Sequence, residues 1–165
     1  MAHVDTFEEL EVYQHARAVA LKIYELTKAF PKEEKYSLTD QIRRSSRSVG
    51  AQIAEAWAKR KYEKHFVSKL TDADGEQQET RHWILSGLDS KLFSIEEADQ
   101  LMTKYKIIGR QLQTMMDRSA DFCKHWRSTT GYQLSVTSQV YRINLKLNTL
   151  SFNYPLPATD HRLPN

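Results

Sequence analysis

Apolar residues recur at helical spacing in four stretches of the chain, with polar residues filling the faces between them. In the first stretch Phe7, Leu10, Ala16, Ala20, Ile23 and Phe30 step by threes and fours or small multiples of them, which predicts a helix over 6–29. Asp5 or Thr6 can cap it, and Glu8 and Glu9 sit where the helix dipole favours negative charge. Pro31 ends it, because the residue before a proline is pushed out of the helical region. A second helix is expected from Ser37, with Asp40 three residues on completing a capping pair, and Leu38, Ile42, Val49, Ile53 and Trp57 as its stripe. Its small residues, Ser45, Ser46, Ser48, Gly50, Ala51 and Ala54, let another helix come close; close packing is the expected compensation for Gly50. The third helix, over 63–88, carries Phe66, Leu70, Ala73, Trp83, Ile84 and Leu88; Gly75 is a second candidate for close approach and Gly87 for a frayed end. The fourth, over 95–125, begins with a capping box of Ser94 and Glu97 and runs through Leu101, Tyr105, Ile108, Leu112, Met115 and Phe122. Short connections make the expected fold all-α: an antiparallel up-down four-helix bundle over 5–125.

The pattern then changes. Tyr141, Ile143, Leu145 and Leu147 alternate with polar residues, a period of two that argues for a strand; Leu150, Phe152 and Tyr154 continue it before Pro155, Pro157 and Pro164. A helical bundle offers no sheet edge for such strands, so 126–165 is expected to be a disordered or weakly β tail.

Composition narrows the chemistry. No run among the 165 residues approaches the roughly 20 apolar positions needed to span a bilayer. Met1 to Asp5 carry neither a basic flank nor an apolar signal core, so a cytoplasmic location is expected. Cys123 is the single cysteine and cannot form an internal disulfide; with no activating partner in sight it reads as a small hydrophobe. The six histidines fall at no zinc-ligand spacing, and neither HExxH nor a phosphate-binding glycine loop is present, so no enzyme, cofactor or metal is expected. Asp72, Glu76 and Glu79 share one helical face; a salt-bridging face explains them better than a cation site, which needs ligands from elsewhere.

Charge is unevenly placed. The net charge is +3. Residues 35–62 hold seven basic side chains against two acidic, and residues 63–91 four basic against six acidic. Arg43, Arg44 and Arg47 cluster within about one turn of the second helix, and Lys59, Arg60 and Lys61 mark its far end. Guanidinium groups bind phosphate bidentately, which makes these six candidates for a nucleic-acid surface. For Arg43 and Arg44 the competing reading is pairing with Glu55 and Glu79 within the bundle or across a subunit interface. For Lys59, Arg60 and Lys61, beside Trp57 and Tyr62, an exposed basic patch is expected, with Trp57 itself in the core.

At these residues the chain resembles a known family. Phe30-Pro31, Glu34, Tyr36, Leu38 and Gln41-Ile42-Arg43-Arg44, then Ile53-Ala54-Glu55, Arg60, Phe66, Ala73, Gly75 and Glu79, are similar in order to the four-helix-bundle proteins encoded in intervening sequences of bacterial 23S ribosomal RNA genes. The resemblance spans about residues 7–123. It implies a ring-like homopentamer without enzymatic activity. A related branch is the accessory variability determinant of diversity-generating retroelements, a basic pentamer that binds a reverse transcriptase and nucleic acid. The implied partners are therefore RNA, ribosomal RNA included, or a protein such as a reverse transcriptase. Where the family shows Asn-Ile-Ala-Glu-Gly, this chain has Gln52-Ile53-Ala54-Glu55-Ala56, which removes a glycine from the second helix.

Overall fold

A computed structural model describes residues 4–123. The alternating segment 141–154 and the domain boundary after residue 125 lie outside the described residues. Four long helices, α1 (Glu11–Leu26), α2 (Asp40–Lys59), α3 (Glu63–Asp89) and α4 (Ile95–Asp117), are followed by a short α5 (Ser119–Cys123). Each long helix packs on the next and α4 returns to α1, closing an antiparallel up-down bundle. Among the described residues there is no strand, and no helix is long and apolar enough to cross a membrane.

One side chain per turn from each helix builds the core. Ile23, Ile42, Ile53, Phe66, Leu70, Ile84, Tyr105, Ile108 and Leu112 are fully buried, each contributing about 1.5–3 kcal/mol relative to exposure. The α1 stripe runs through Val12, Ala16, Val19 and Ile23; Ala20 falls to its flank, half-buried. Within this core the hydroxyls of Ser45 and Thr80 hydrogen-bond at 2.9 Å between α2 and α3. Burial pushes the Tyr105 hydroxyl above the usual phenol range, an effect the neighbouring Thr80 hydroxyl partly offsets.

The helix ends depart from the sequence pattern. The first predicted helix is broken: Phe7–Glu9 form a single 3-10 turn, and Leu10 is extended before α1 begins. Thr6, at the N-cap of the turn, supplies no side-chain cap, and α1 itself starts from Leu10 and not from Asp5 or Thr6. The break buries Leu10 and sets Phe7 edge-on to Tyr13, ring centroids 4.8 Å apart. Ser37 does not cap α2 either. Its hydroxyl bonds the Glu34 carboxylate, and residues Lys35–Thr39 form a π-helical turn that leads straight into α2. The fourth helix stops at Asp117, and Ser119 ties α5 to the start of α3 through Glu63 (2.6 Å). The Ser94–Glu97 capping box forms as read, with both reciprocal bonds present.

Two glycines exchange roles. Gly75 is exposed, and among the described residues an added Cβ there would meet nothing within 4 Å. Gly87 is buried, and a Cβ there would lie 2.7 Å from the Phe93 ring. The close approach belongs to the α3–α4 turn, where Leu92 N–H bonds the Gly87 carbonyl (2.8 Å) and Lys91 takes a positive φ of 59°. At Gly50 a Cβ would make ordinary contact with Tyr13 at 3.5 Å, so the chain's own packing does not require glycine there. Ala56, where the family pattern has glycine, is fully buried without strain on the helix.

Candidate nucleic-acid interface

The arginines of α2 divide between its two edges. Arg43 and Arg47, four residues apart, lie along the edge facing α1; Arg44, about 100° further round, faces α3. On the α3 edge the cations are neutralised. Arg44 meets Glu79 at 3.4 Å, and the Trp83 indole N–H bonds the same carboxylate oxygen at 3.2 Å. Further along, Glu55 joins Lys59 at 3.9 Å and Lys69 at 3.1 Å, and Lys69 also meets Asp72 at 3.1 Å. The hydrogen bonds that Lys69 donates to Glu55 and Asp72 raise its ammonium pKa above the ordinary value. Two members of the acidic row, Asp72 and Glu79, are thus occupied by cations, and no cluster of metal-ligating side chains occurs among the described residues.

The α1 edge is different. Arg43 Nε donates to Thr27 Oγ1 (2.7 Å), and that buried hydroxyl donates in turn to the Ile23 carbonyl (2.8 Å). The threonine therefore aims the guanidinium. It lies 4.9 Å from the centre of the Tyr24 ring; the Arg47 guanidinium lies 5.5 Å and the Lys28 ammonium 4.8 Å from the same centre. Lys28 is bonded to Glu25 at 2.8 Å, which raises its pKa, while nearby Arg43 opposes that rise. Among the described residues Arg43 and Arg47 form no ion pair. Beside this cluster a groove of about 460 Å³ runs between α1 and α2, with Tyr24 and Arg47 on its lining together with Arg17.

The far end of α2 holds a correction. Arg60 was expected in an exposed patch with Lys59 and Lys61; it is 7 % exposed. Its guanidinium stacks on Trp57 at 4.0 Å and donates to the Trp57 carbonyl (2.6 Å), which also accepts the Arg60 backbone N–H at 3.5 Å, so the side chain reinforces the last turn of the helix. Burial pushes the guanidinium pKa down. Lys59 and Lys61 remain exposed, Lys61 5.5 Å from the Tyr62 ring. Tyr62 is 59 % exposed and packs against His65. Cys123 is half-buried, and burial raises its thiol pKa, the opposite of what activates a nucleophile.

Of the side chains in this cluster and groove, the sequence reading named Arg43 and Arg47 and did not name Tyr24, Lys28, Thr27 or Arg17. The spacing Arg17–Tyr24 is seven residues, two helical turns, and could have placed both on one face of α1. Nothing in that spacing tells which helix they meet.

The comparison with curated proteins gives no match. A crystal structure of a protein with unknown function from the S23 ribosomal protein family of Bacteroides thetaiotaomicron VPI-5482 is similar: 26% identical, with a TM-score of 0.59, covering 64% of this chain and 95% of that one. A family model, the 23S rRNA-intervening sequence protein, matches residues 8–114. That match takes in all four long helices except the last residues of α4, and with it both edges of α2. The chain belongs to the 23S rRNA-intervening sequence protein family.

Proposed function

We propose that this protein is a non-catalytic, RNA-associated bundle that works in the cytoplasm as a ring-like homopentamer and meets structured RNA, ribosomal RNA included, through the α1 edge of α2. One observation carries the reading. Arg43 and Arg47 are drawn to the same tyrosine ring without a carboxylate between them, while the cations on the opposite edge of α2 are paired. Like charges held together lack their counter-ion, and a phosphate supplies it with bidentate geometry. Lys59 and Lys61 stay exposed toward the α2–α3 turn, Lys59 beside Glu55 and Lys61 beside Tyr62, and lie at the margin of this surface. Arg44 is a rim residue tied to Glu79, and Arg60 acts as a helix terminator.

The test is a titration of a labelled ribosomal RNA fragment followed by fluorescence anisotropy across a salt series. Affinity is expected to fall steeply as salt rises, because each neutralised phosphate releases counter-ions. Replacing Arg43 and Arg47 together by alanine reduces the slope of log K against log salt by about two, whereas Arg44→Ala changes it by much less. Absence of RNA affinity at low salt would overturn the reading.

A further inference from the structure

The geometry points to unpaired RNA as the partner of the α1 edge, with a base seated in the α1–α2 groove while its phosphates lie on Arg43 and Arg47. The inference rests on the RNA reading above and narrows it to single strands.

Three features of the groove support this. First, it is continuous with the arginine cluster, since Tyr24 and Arg47 belong to both. Second, its lining is mostly apolar: buried Ala16 and Gly50 form the base, and half-buried Tyr13 and Tyr24 supply aromatic rings. Its charged lining residues are Arg17 and Arg47, with no carboxylate, so the pocket complements an anion. Third, Gly50 is not demanded by the chain's own packing, because a methyl there would make only ordinary contact with Tyr13. A glycine inside a helix costs about 1 kcal/mol against alanine; what it does here is keep the groove deep.

An A-form duplex hides its bases and offers phosphates and 2′-hydroxyls. It would use the guanidinium groups and leave the groove uncovered. An unpaired strand presents both parts at once: a flat apolar base for a tyrosine-lined recess, and a phosphate for the arginines beside it. Acidic helices also carry apolar and anionic groups, but guanidinium groups gathered on an aromatic ring suit the alternation of base and phosphate better.

The experiment compares a labelled, unstructured RNA strand of about ten nucleotides with the same strand annealed to its complement. Wild-type protein is expected to bind the single strand about tenfold more tightly at low salt. Ala51→Leu, at an exposed position lining the groove, and Ala20→Leu, from the opposite helix, should each abolish that preference and leave duplex affinity unchanged. Thermal melts by circular dichroism confirm that the variants fold. Equal binding of strand and duplex, or unchanged single-strand affinity in both leucine variants, would overturn the inference. So would a smaller assembly for Ala51→Leu in sedimentation, which assigns the groove to a second copy, or tighter binding of an acidic amphipathic peptide. Loss of binding to both RNA forms by the wild type is a separate result, and refutes the RNA reading itself.

Discussion

Gly75 and Gly87 lie twelve residues apart on α3 and have opposite environments. At Gly75 nothing stands within reach of an added methyl, so alanine gains helix propensity without a clash. Gly75→Ala is expected to raise the unfolding free energy by about 1 kcal/mol. At Gly87 the same methyl meets the ring of Phe93, itself held edge-on by Phe30 at 5.0 Å between centroids. At 2.7 Å the Phe93 ring must shift to admit the methyl, and Gly87→Ala should cost roughly 1–3 kcal/mol despite its better propensity. Urea unfolding of the two variants beside wild type checks both signs. This contrast was not legible in the sequence, where Gly75 looked like the packing glycine and Gly87 like a frayed end. A glycine code records the absence of a side chain, and only a neighbour's coordinates say whether that absence is used. Arg60 teaches the same point. Its basic neighbours suggested solvent, while the Trp57 face and the Trp57 carbonyl offered it a buried seat.

At the scale of the element, periodicity placed the long helices well and their ends poorly. The Ser94–Glu97 box was readable because both partners lie on one turn and need nothing from elsewhere. The break at Leu10 and the stop at Asp117 were not, since the burial of Leu10 and the Ser119–Glu63 bond depend on residues brought in by the fold; at Ser37 a competing local partner, Glu34, takes the hydroxyl instead of the helix end. The α3–α4 turn shows a stored cost of this kind. Lys91 sits in the left-handed region, which disfavours a side chain. Lys91→Gly should therefore stabilise the protein by about 1 kcal/mol, read as a higher urea midpoint at unchanged slope. A lower midpoint would mean that the lysine makes a compensating contact. The α2 helix is the element on which the proposed function turns. Its sequence shows one basic run; its geometry shows one edge discharged through Glu79 and Glu55 and one edge left charged.

At the scale of the whole molecule, the bundle decides which charges meet. Tyr24 on α1 receives cations from α2 because the two helices are neighbours, and Lys69 on α3 bridges Glu55 and Asp72 for the same reason. Assembly into a ring would set several such arginine edges on one particle, which multiplies affinity for a long RNA without a new contact. Equilibrium sedimentation at micromolar concentration is expected to return the mass of a pentamer; a monomer mass would overturn the assembly and leave the single-site reading in place.

The sequence by itself determined the class of fold, because the three- and four-residue spacing of apolar positions is a property of each helix alone and can be satisfied only by burying those stripes together. It also carried the family pattern from Phe30 to Glu79. Tertiary structure decided which cations are neutralised, which glycine is crowded, and where Tyr24 and the α1–α2 groove stand relative to Arg43 and Arg47. Those outcomes depend on distances between residues far apart in the chain, and Coulomb and contact energies change over a few ångströms that no local spacing encodes.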